Sequence, residues 1–168
     1  SFAAKVDFTV GTNPRSVAIV DLDGDGKADL AVANTAVFTV SILRNTSATG
    51  TISFLPKVDY TSGANPHFVA FGDLDGDGKP DLATANNGNA SVSVLRNNSI
   101  AGTISLEAKV DFTAGTAPVS LAIGDLDADG KAEMVVTNFG NAGVSVFKNN
   151  AVSGFITSTS FDAKVDFT

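Results

Sequence analysis

Three nine-residue stretches decide the architecture: DLDGDGKAD from Asp21 to Asp29, DLDGDGKPD from Asp73 to Asp81, and DLDADGKAE from Asp125 to Glu133. They begin 52 residues apart each time, so the 168-residue chain is three copies of one unit. Against Val17–Asn34, the second copy (Val69–Asn86) is identical at 14 of 18 positions and the third (Leu121–Asn138) at 11. Similarity that close points to recent duplication or deliberate idealisation. A second marker, KVDF or KVDY, begins at Lys5, Lys57, Lys109 and Lys164, which is four copies for three acidic stretches.

Outward from each acidic stretch the pattern is that of short β-strands. SVAIVDL (Ser16–Leu22) leads into the first stretch, and ADLAVAN (Ala28–Asn34) leaves it with Leu30 and Val32 alternating against Ala31 and Ala33. TVSILRN (Thr39–Asn45) and SFLPKVDYT (Ser53–Thr61) follow, the latter with Val58 and Tyr60 on one face and Lys57 and Asp59 on the other. Period-two alternation, β-branched residues and flanking Gly, Asn and Pro are strand signals, and no helical period runs for ten residues. Each unit is therefore expected to be a four-stranded antiparallel meander.

A four-stranded unit of about 50 residues, repeated, is the arithmetic of a β-propeller blade. The expected fold class is all-β: three four-stranded antiparallel blades per chain, completed to a six-bladed ring by a second chain. Residues 10–61, 62–113 and 114–168 are read as the blades of a single propeller fragment (1–168), with 1–9 a surplus outer strand. The first strand of each unit, apolar or small throughout, would line the axis. The fourth carries Lys and Asp, which suits an outer edge that must not pair with strangers.

In the first acidic stretch Asp21, Asp23, Asp25 and Asp29 hold positions 1, 3, 5 and 9, with Gly24 and Gly26 free to adopt the backbone angles of a tight turn. Two carboxylates about 5 Å apart repel by roughly 3 kcal/mol at an effective dielectric near 20, and four of them make six such pairs. Without a cation such a loop is expected to be strained or mobile. All-oxygen donors without His or Cys select Ca²⁺ or Mg²⁺. Several carboxylates plus a main-chain carbonyl, expected from Lys27 at position 7, suit the looser coordination of Ca²⁺. The second stretch offers Asp73, Asp75, Asp77, the Lys79 carbonyl and Asp81. The third offers Asp125, Asp127, Asp129, the Lys131 carbonyl and Glu133, with Ala128 where the others have Gly. Three calcium ions per chain are therefore expected. An EF-hand also begins D-x-D-x-D-G, but it needs Glu at position 12 and flanking helices. Position 12 here is Val32, Thr84 or Val136, between strands.

With these residues in view, D-L-D-G-D-G-K-x-D-L and its flanks VAxGD and LAxAN resemble the FG-GAP or VCBS repeat over essentially the whole chain. That family includes the integrin alpha-subunit propeller and many bacterial secreted proteins. The resemblance implies a propeller blade whose loop between the first two strands binds calcium structurally. It departs at Glu133, where the family has Asp, so the third site is expected to differ in affinity or geometry.

The composition narrows the partners. Eighteen acidic residues against 11 Lys and Arg leave a formal charge of −7, which excludes the basic face that nucleic acid or an anionic membrane requires. Charged residues are 17% and apolar ones 43%, so a folded core is expected rather than disorder. There is no Cys, hence no disulfide, thiol nucleophile or thiolate metal site, and no apolar run long enough to span a bilayer. The N-terminus lacks the order of a signal peptide, so the chain reads as soluble and as a mature product or an excised piece. Twelve of the 18 acids lie in the three loops; three Ca²⁺ would bring the formal charge to about −1.

Three units fall short of a ring of four to eight blades and would expose apolar faces, so a homodimer closing six blades is expected. SFAAKVDFT (Ser1–Thr9) and SFDAKVDFT (Ser160–Thr168) are both fourth-strand sequences, and the C-terminal copy is expected to finish the third blade. The function these features favour is a calcium-stabilised scaffold or adhesion module with a protein or glycan ligand, placed outside the cell where calcium is millimolar. A lectin is one alternative, weakened by the absence of Trp and the presence of one Tyr, Tyr60; an inactive excised or designed fragment is another. An enzyme is not expected: His67 is the sole His and stands where the other units have Arg15 and Val119. The Asn-x-Ser sequons at Asn45, Asn89 and Asn97 are read as turn chemistry.

Overall fold

The computed structural model describes residues 4–168. Each unit is one antiparallel sheet with its strands side by side in chain order. The first sheet holds β1 (Pro14–Val20), β2 (Asp29–Asn34), β3 (Thr39–Leu43) and β4 (Val58–Thr61). The second holds β5 (Pro66–Gly72), β6 (Asp81–Asn86), β7 (Ser91–Leu95) and β8 (Val110–Thr113). The third holds β9 (Pro118–Gly124), β10 (Glu133–Asn138), β11 (Gly143–Phe147) and β12 (Val165–Phe167), with a short 3₁₀ turn at Phe139–Asn141. β5 packs against both β1 and β9, so the first strands of the units stand together while the fourth strands form the far edges. The array of three sheets does not close on itself.

All four expected strand ranges shift, the second and third by one or two residues at an end and the first and fourth by more. The first strand begins at Pro14 and ends at Val20, not at Leu22, because the Leu22 N–H donates to Asp29 Oδ2 at 3.0 Å and leaves the ladder. The fourth strand pairs only from Val58, not from Ser53. Upstream of it the Leu55 N–H donates to the Arg44 carbonyl, and Phe54 makes an isolated bridge to Asn45. That excursion carries Phe54, Leu106 and Phe161 inward in the three units, Leu106 and Phe161 being buried.

A β-bulge recurs at the start of each sheet. Pro14 opposes Asn34 and Ser16 opposes Ala33, which leaves Arg15 unpaired; His67 and Val119 are left out in the same way. The variable position that carries the sole His is thus the extra residue of a bulge, where no ladder partner constrains the side chain. Before each bulge the backbone turns left-handed, at Asn13 (φ 55°), Asn65 (φ 52°) and Ala117 (φ 53°).

The core lies between sheets, as it must when each unit is a single layer. One cluster joins Leu22, Ala31, Ala33, Val40 and Ile42 of the first unit to Val69, Leu82, Leu95 and Leu106 of the second. A second cluster joins the other face of the second unit, Ala83, Ala85, Val92 and Val94, to Leu121, Met134, Val136 and Phe147 of the third. Through each sheet runs a buried polar relay. The Asn34 Nδ2 donates to Ser41 Oγ at 2.8 Å, and that hydroxyl donates to Asp59 Oδ1 at 2.6 Å. Asn86–Ser93–Asp111 and Asn138–Ser145–Asp166 repeat it. Asp59, Asp111 and Asp166 of the last three markers therefore anchor the fourth strand to the third, besides pairing with their own marker's Lys. Burial pushes the Asp59 carboxyl up, yet the hydrogen bonds from Lys57 and Ser41 hold it below the usual range.

The relay asparagine also explains a glycine. A Cβ on Gly63 would stand 2.5 Å from the Asn86 Nδ2 and 2.6 Å from its Cγ, and Gly11 and Gly115 meet Asn34 and Asn138 in the same way. Gly63→Ala is expected to lower unfolding free energy by about 1–3 kcal/mol, the range for overpacking a tight site, as measured by urea denaturation.

Candidate metal centres

Each acidic loop connects the first and second strands of its sheet and is shaped by its own aspartates. Asp21 accepts the N–H groups of Gly24 and Gly26 on its two oxygens, at 2.9 and 2.8 Å. Asp23 Oδ1 takes the N–H of Asp25 and Asp25 Oδ1 that of Lys27. These turns need left-handed backbone at Gly24 (φ 71°) and Gly26 (φ 84°). The second loop repeats them through Asp73, Asp75 and Asp77. The third keeps the shape with Ala128 at φ 63°, a conformation costing an L-residue roughly 1–2 kcal/mol. Ala128→Gly is expected to raise unfolding free energy by about 1 kcal/mol, read in the same denaturation assay.

The carboxylates at positions 1, 3 and 9 converge. One oxygen each from Asp21, Asp23 and Asp29 lies within 4.8 Å of the others, and so do those of Asp73, Asp75 and Asp81, and of Asp125, Asp127 and Glu133. Position 5 does not join them. Arg44, at the end of β3, donates its Nε to Asp23 Oδ2 at 2.5 Å and its terminal nitrogen to Asp25 Oδ2 at 2.6 Å. Arg96 holds Asp75 and Asp77 at 2.5 and 2.8 Å. In the third loop Lys148 takes this place, bonded to Asp127 and 3.6 Å from Asp129. The hydrogen bond from Lys148 holds Asp127 below the usual carboxylate range, and the same bond raises Lys148. Asp75 raises Arg96 likewise, chiefly by its hydrogen bond. In the first loop Arg44 and six backbone N–H donors, from Leu22, Gly24, Asp25, Gly26, Lys27 and Asn45, stand against the mutual repulsion of the carboxylates. The sequence signal for such a cation was the Arg, Arg or Lys that closes each third strand just before Asn45, Asn97 or Asn149.

Position 9 is the most buried. Asp29, Asp81 and Glu133 are almost fully enclosed, and both oxygens of each accept main-chain N–H groups. Asp81 receives Leu74 at 3.0 Å and Asn97 at 2.8 Å; Asp29 receives Leu22 and Asn45; Glu133 receives Leu126 and, at a longer 3.3 Å, Asn149. Burial pushes the Asp81 carboxyl up to about 6 and raises Asp29 as well. In the second and third loops the lysine at position 7 braces the loop from outside: Lys79 Nζ donates to the Ser99 carbonyl and Lys131 Nζ to that of Ala151.

The asparagine after the basic residue links the units. Asn97 Nδ2 donates to Leu22 O of the preceding unit at 2.9 Å and to Pro80 O at 3.0 Å. Asn149 donates to Leu74 O and Ala132 O, both at 2.9 Å. Asn97, one of the sequons, is thus fully buried and engaged. Asn97→Ala would leave the buried Leu22 carbonyl and the half-buried Pro80 carbonyl without this donor and is expected to cost about 1–3 kcal/mol, visible as a lower midpoint in thermal unfolding. His67 is held below its ordinary value by burial and then by Arg15, and no acidic group bonds to it.

Three meander sheets with acidic loops at equivalent corners define a repeat protein of β-propeller-like, all-β construction. The FG-GAP-like repeat matches residues 33–84 and 73–136, more than half the chain, and the protein belongs to that family. No curated protein matches it. The fold is similar to that of a functionally unknown protein from Desulfotomaculum acetoxidans DSM 771, with a TM-score of 0.61 and 19% identity. The likeness covers 88% of this chain and 41% of that one, so this chain spans less than half of that relative's length.

Proposed function

We propose that this protein is a calcium-binding β-propeller scaffold or interaction module, non-enzymatic, with one structural Ca²⁺ in each acidic loop. The observation that carries the reading is the threefold convergence of carboxylate oxygens from positions 1, 3 and 9 within 4.8 Å. Ligand oxygens about 2.3–2.6 Å from one Ca²⁺ stand no more than about 5 Å apart, so these donors fit it. Asp21, Asp23, Asp25, Asp29 and the Lys27 carbonyl would hold the first ion, and the corresponding residues the others. A divalent charge there neutralises the loop and fastens the first strand to the second. Asp25 and Asp77 join only by releasing Arg44 and Arg96. On this reading two chains complete a six-bladed ring, in the calcium-rich space outside the cell.

Isothermal titration of chelator-stripped protein with CaCl₂ tests the reading. Three sites per chain and a higher melting temperature with calcium are expected; no heat and an unchanged melting curve would sink it. Because burial pushes the Asp81 carboxyl up to about 6, a proton competes with the ion for the second loop. A bound metal needs the ionised carboxylate, so calcium affinity there should fall as pH drops through about 6, with a proton released on binding below it.

Glycan binding is the second reading, resting on Tyr60. Its ring lines a cleft between the first two units with Ile42, Leu55 and Ile104, and its hydroxyl makes a long 3.4 Å bond to the Ile104 carbonyl. Calcium-dependent glycan-array binding lost in Tyr60→Ala would favour it.

A further inference from the structure

Two junctions between units lie within the chain, and they bury the same positions. At the first, Leu22 shares an apolar cluster with Val69, and Ile104 of the next unit packs against that cluster. At the second, Leu74 shares one with Leu121 and Ile156. Leu22 is 2% exposed and Leu74 1%. The counterpart on the third unit, Leu126, is 60% exposed; the counterparts on the first, Val17 and Ile52, are 61% and 66% exposed. Their chemical type is that of the buried residues they match, so each open face has the composition of half a junction.

The polar parts correspond too. Gly102 of the second unit donates its N–H to Asp23 Oδ2 at 3.1 Å, closing a hairpin over the first acidic loop. The third unit's hairpin closes over the second loop, Gly154 N–H to Asp75 O at 3.0 Å and Ser153 Oγ to Gly76 O at 3.2 Å. The first unit carries the same hairpin, with Gly50 at φ 82° beside 87° and 81° at Gly102 and Gly154. Asn45, matching Asn97 and Asn149, donates to Ala28 O of its own unit.

A further contact shows what belongs on the first unit's open face. Phe8 stands edge-on to Phe54 with ring centres 5.0 Å apart, just as Phe112, on the fourth strand of the second unit, stands to Phe161 of the third at 5.1 Å. Both aromatics end a KVDF marker, so Lys5–Thr9 occupies the place of a preceding unit's fourth strand.

We propose that the open faces of the third and first units are the two halves of one more junction of this kind, made between two copies of the chain. In it, Leu126 of one copy is covered by Val17 and Ile52 of the other, whose Gly50 hairpin closes over Asp125–Glu133. The inference rests on the propeller reading and names the surface that completes it; two copies placed head to tail form two such junctions and close a six-unit ring. Phe167 of one copy and Phe8 of the other claim a single place against Phe54. Val165–Phe167 is already hydrogen-bonded to β11, so it keeps the place and Lys5–Thr9 yields.

Light scattering across a concentration series is the test, run in calcium and in chelator. The 168-residue chain is expected at twice its 17.1 kDa mass. Leu126→Asp and Ile52→Asp should each weaken association by about tenfold or more, since each places a charge in a buried apolar contact. An equimolar mixture of the two variants should regain association, because one unaltered tail still meets one unaltered head; this recovery separates a lost junction from a lost fold. Phe8→Ala should tighten association by freeing the contested place. A chain that stays at its monomer mass at every concentration, or a dimer that neither Asp variant weakens, overturns the proposal. Intact association with no calcium heat would instead refute the metal reading alone.

Discussion

A buried carboxylate at position 9 of each loop, accepting one N–H from the loop and one from the end of the third strand, is the interaction on which the rest depends. Hydrogen bonds to a charged acceptor contribute about 1.5–3 kcal/mol each, yet Asp81 is still pushed up to about 6, so burial outweighs both. The residue whose N–H is bound, Asn45, Asn97 or Asn149, also turns its side chain to a carbonyl, and in Asn97 and Asn149 one such carbonyl belongs to the preceding unit. Loop shape, strand end and contact between units therefore share one anchor. Moving it would disturb all three.

The three loops are not equivalent, and the differences run in one direction. The first two are gripped by an arginine whose planar fork spans two carboxylates, and each is roofed by the next unit's hairpin. The third has a lysine, a point charge, and it combines Glu133 with Ala128 in a left-handed turn. Its residues Asp125–Lys131 are exposed throughout. In the first two loops the excess acid is thus held against Arg44 and Arg96.

Much of this was legible in the sequence because it is local. Alternation marks strands, Asp-x-Asp-Gly marks a turn whose aspartates bond their own backbone, and the 52-residue period gives the number of units. Other roles were hidden because they join residues far apart. Arg44 grips Asp23 and Asp25 across about 20 positions, and Asn97 reaches Leu22 across 75. The KVDF aspartates read as edge charges until Ser41, Ser93 and Ser145 are seen to bond them. His67, unmatched by any residue type at the equivalent positions of the other units, is the odd residue of a bulge in the fold.

Leu22, Leu74 and Leu126 draw the line between the two kinds of information. They are the same residue at the same position of the same loop, and the sequence by itself determined that each would follow its first Asp at the mouth of a strand–loop–strand corner. Their environments differ completely, at 2%, 1% and 60% exposed. Strand pairing and turn formation are decided within a unit by backbone hydrogen bonds and side-chain alternation, so every copy repeats them. Burial of a single-layer sheet is decided by the neighbour stacked on it, and only the tertiary arrangement determines which face receives one.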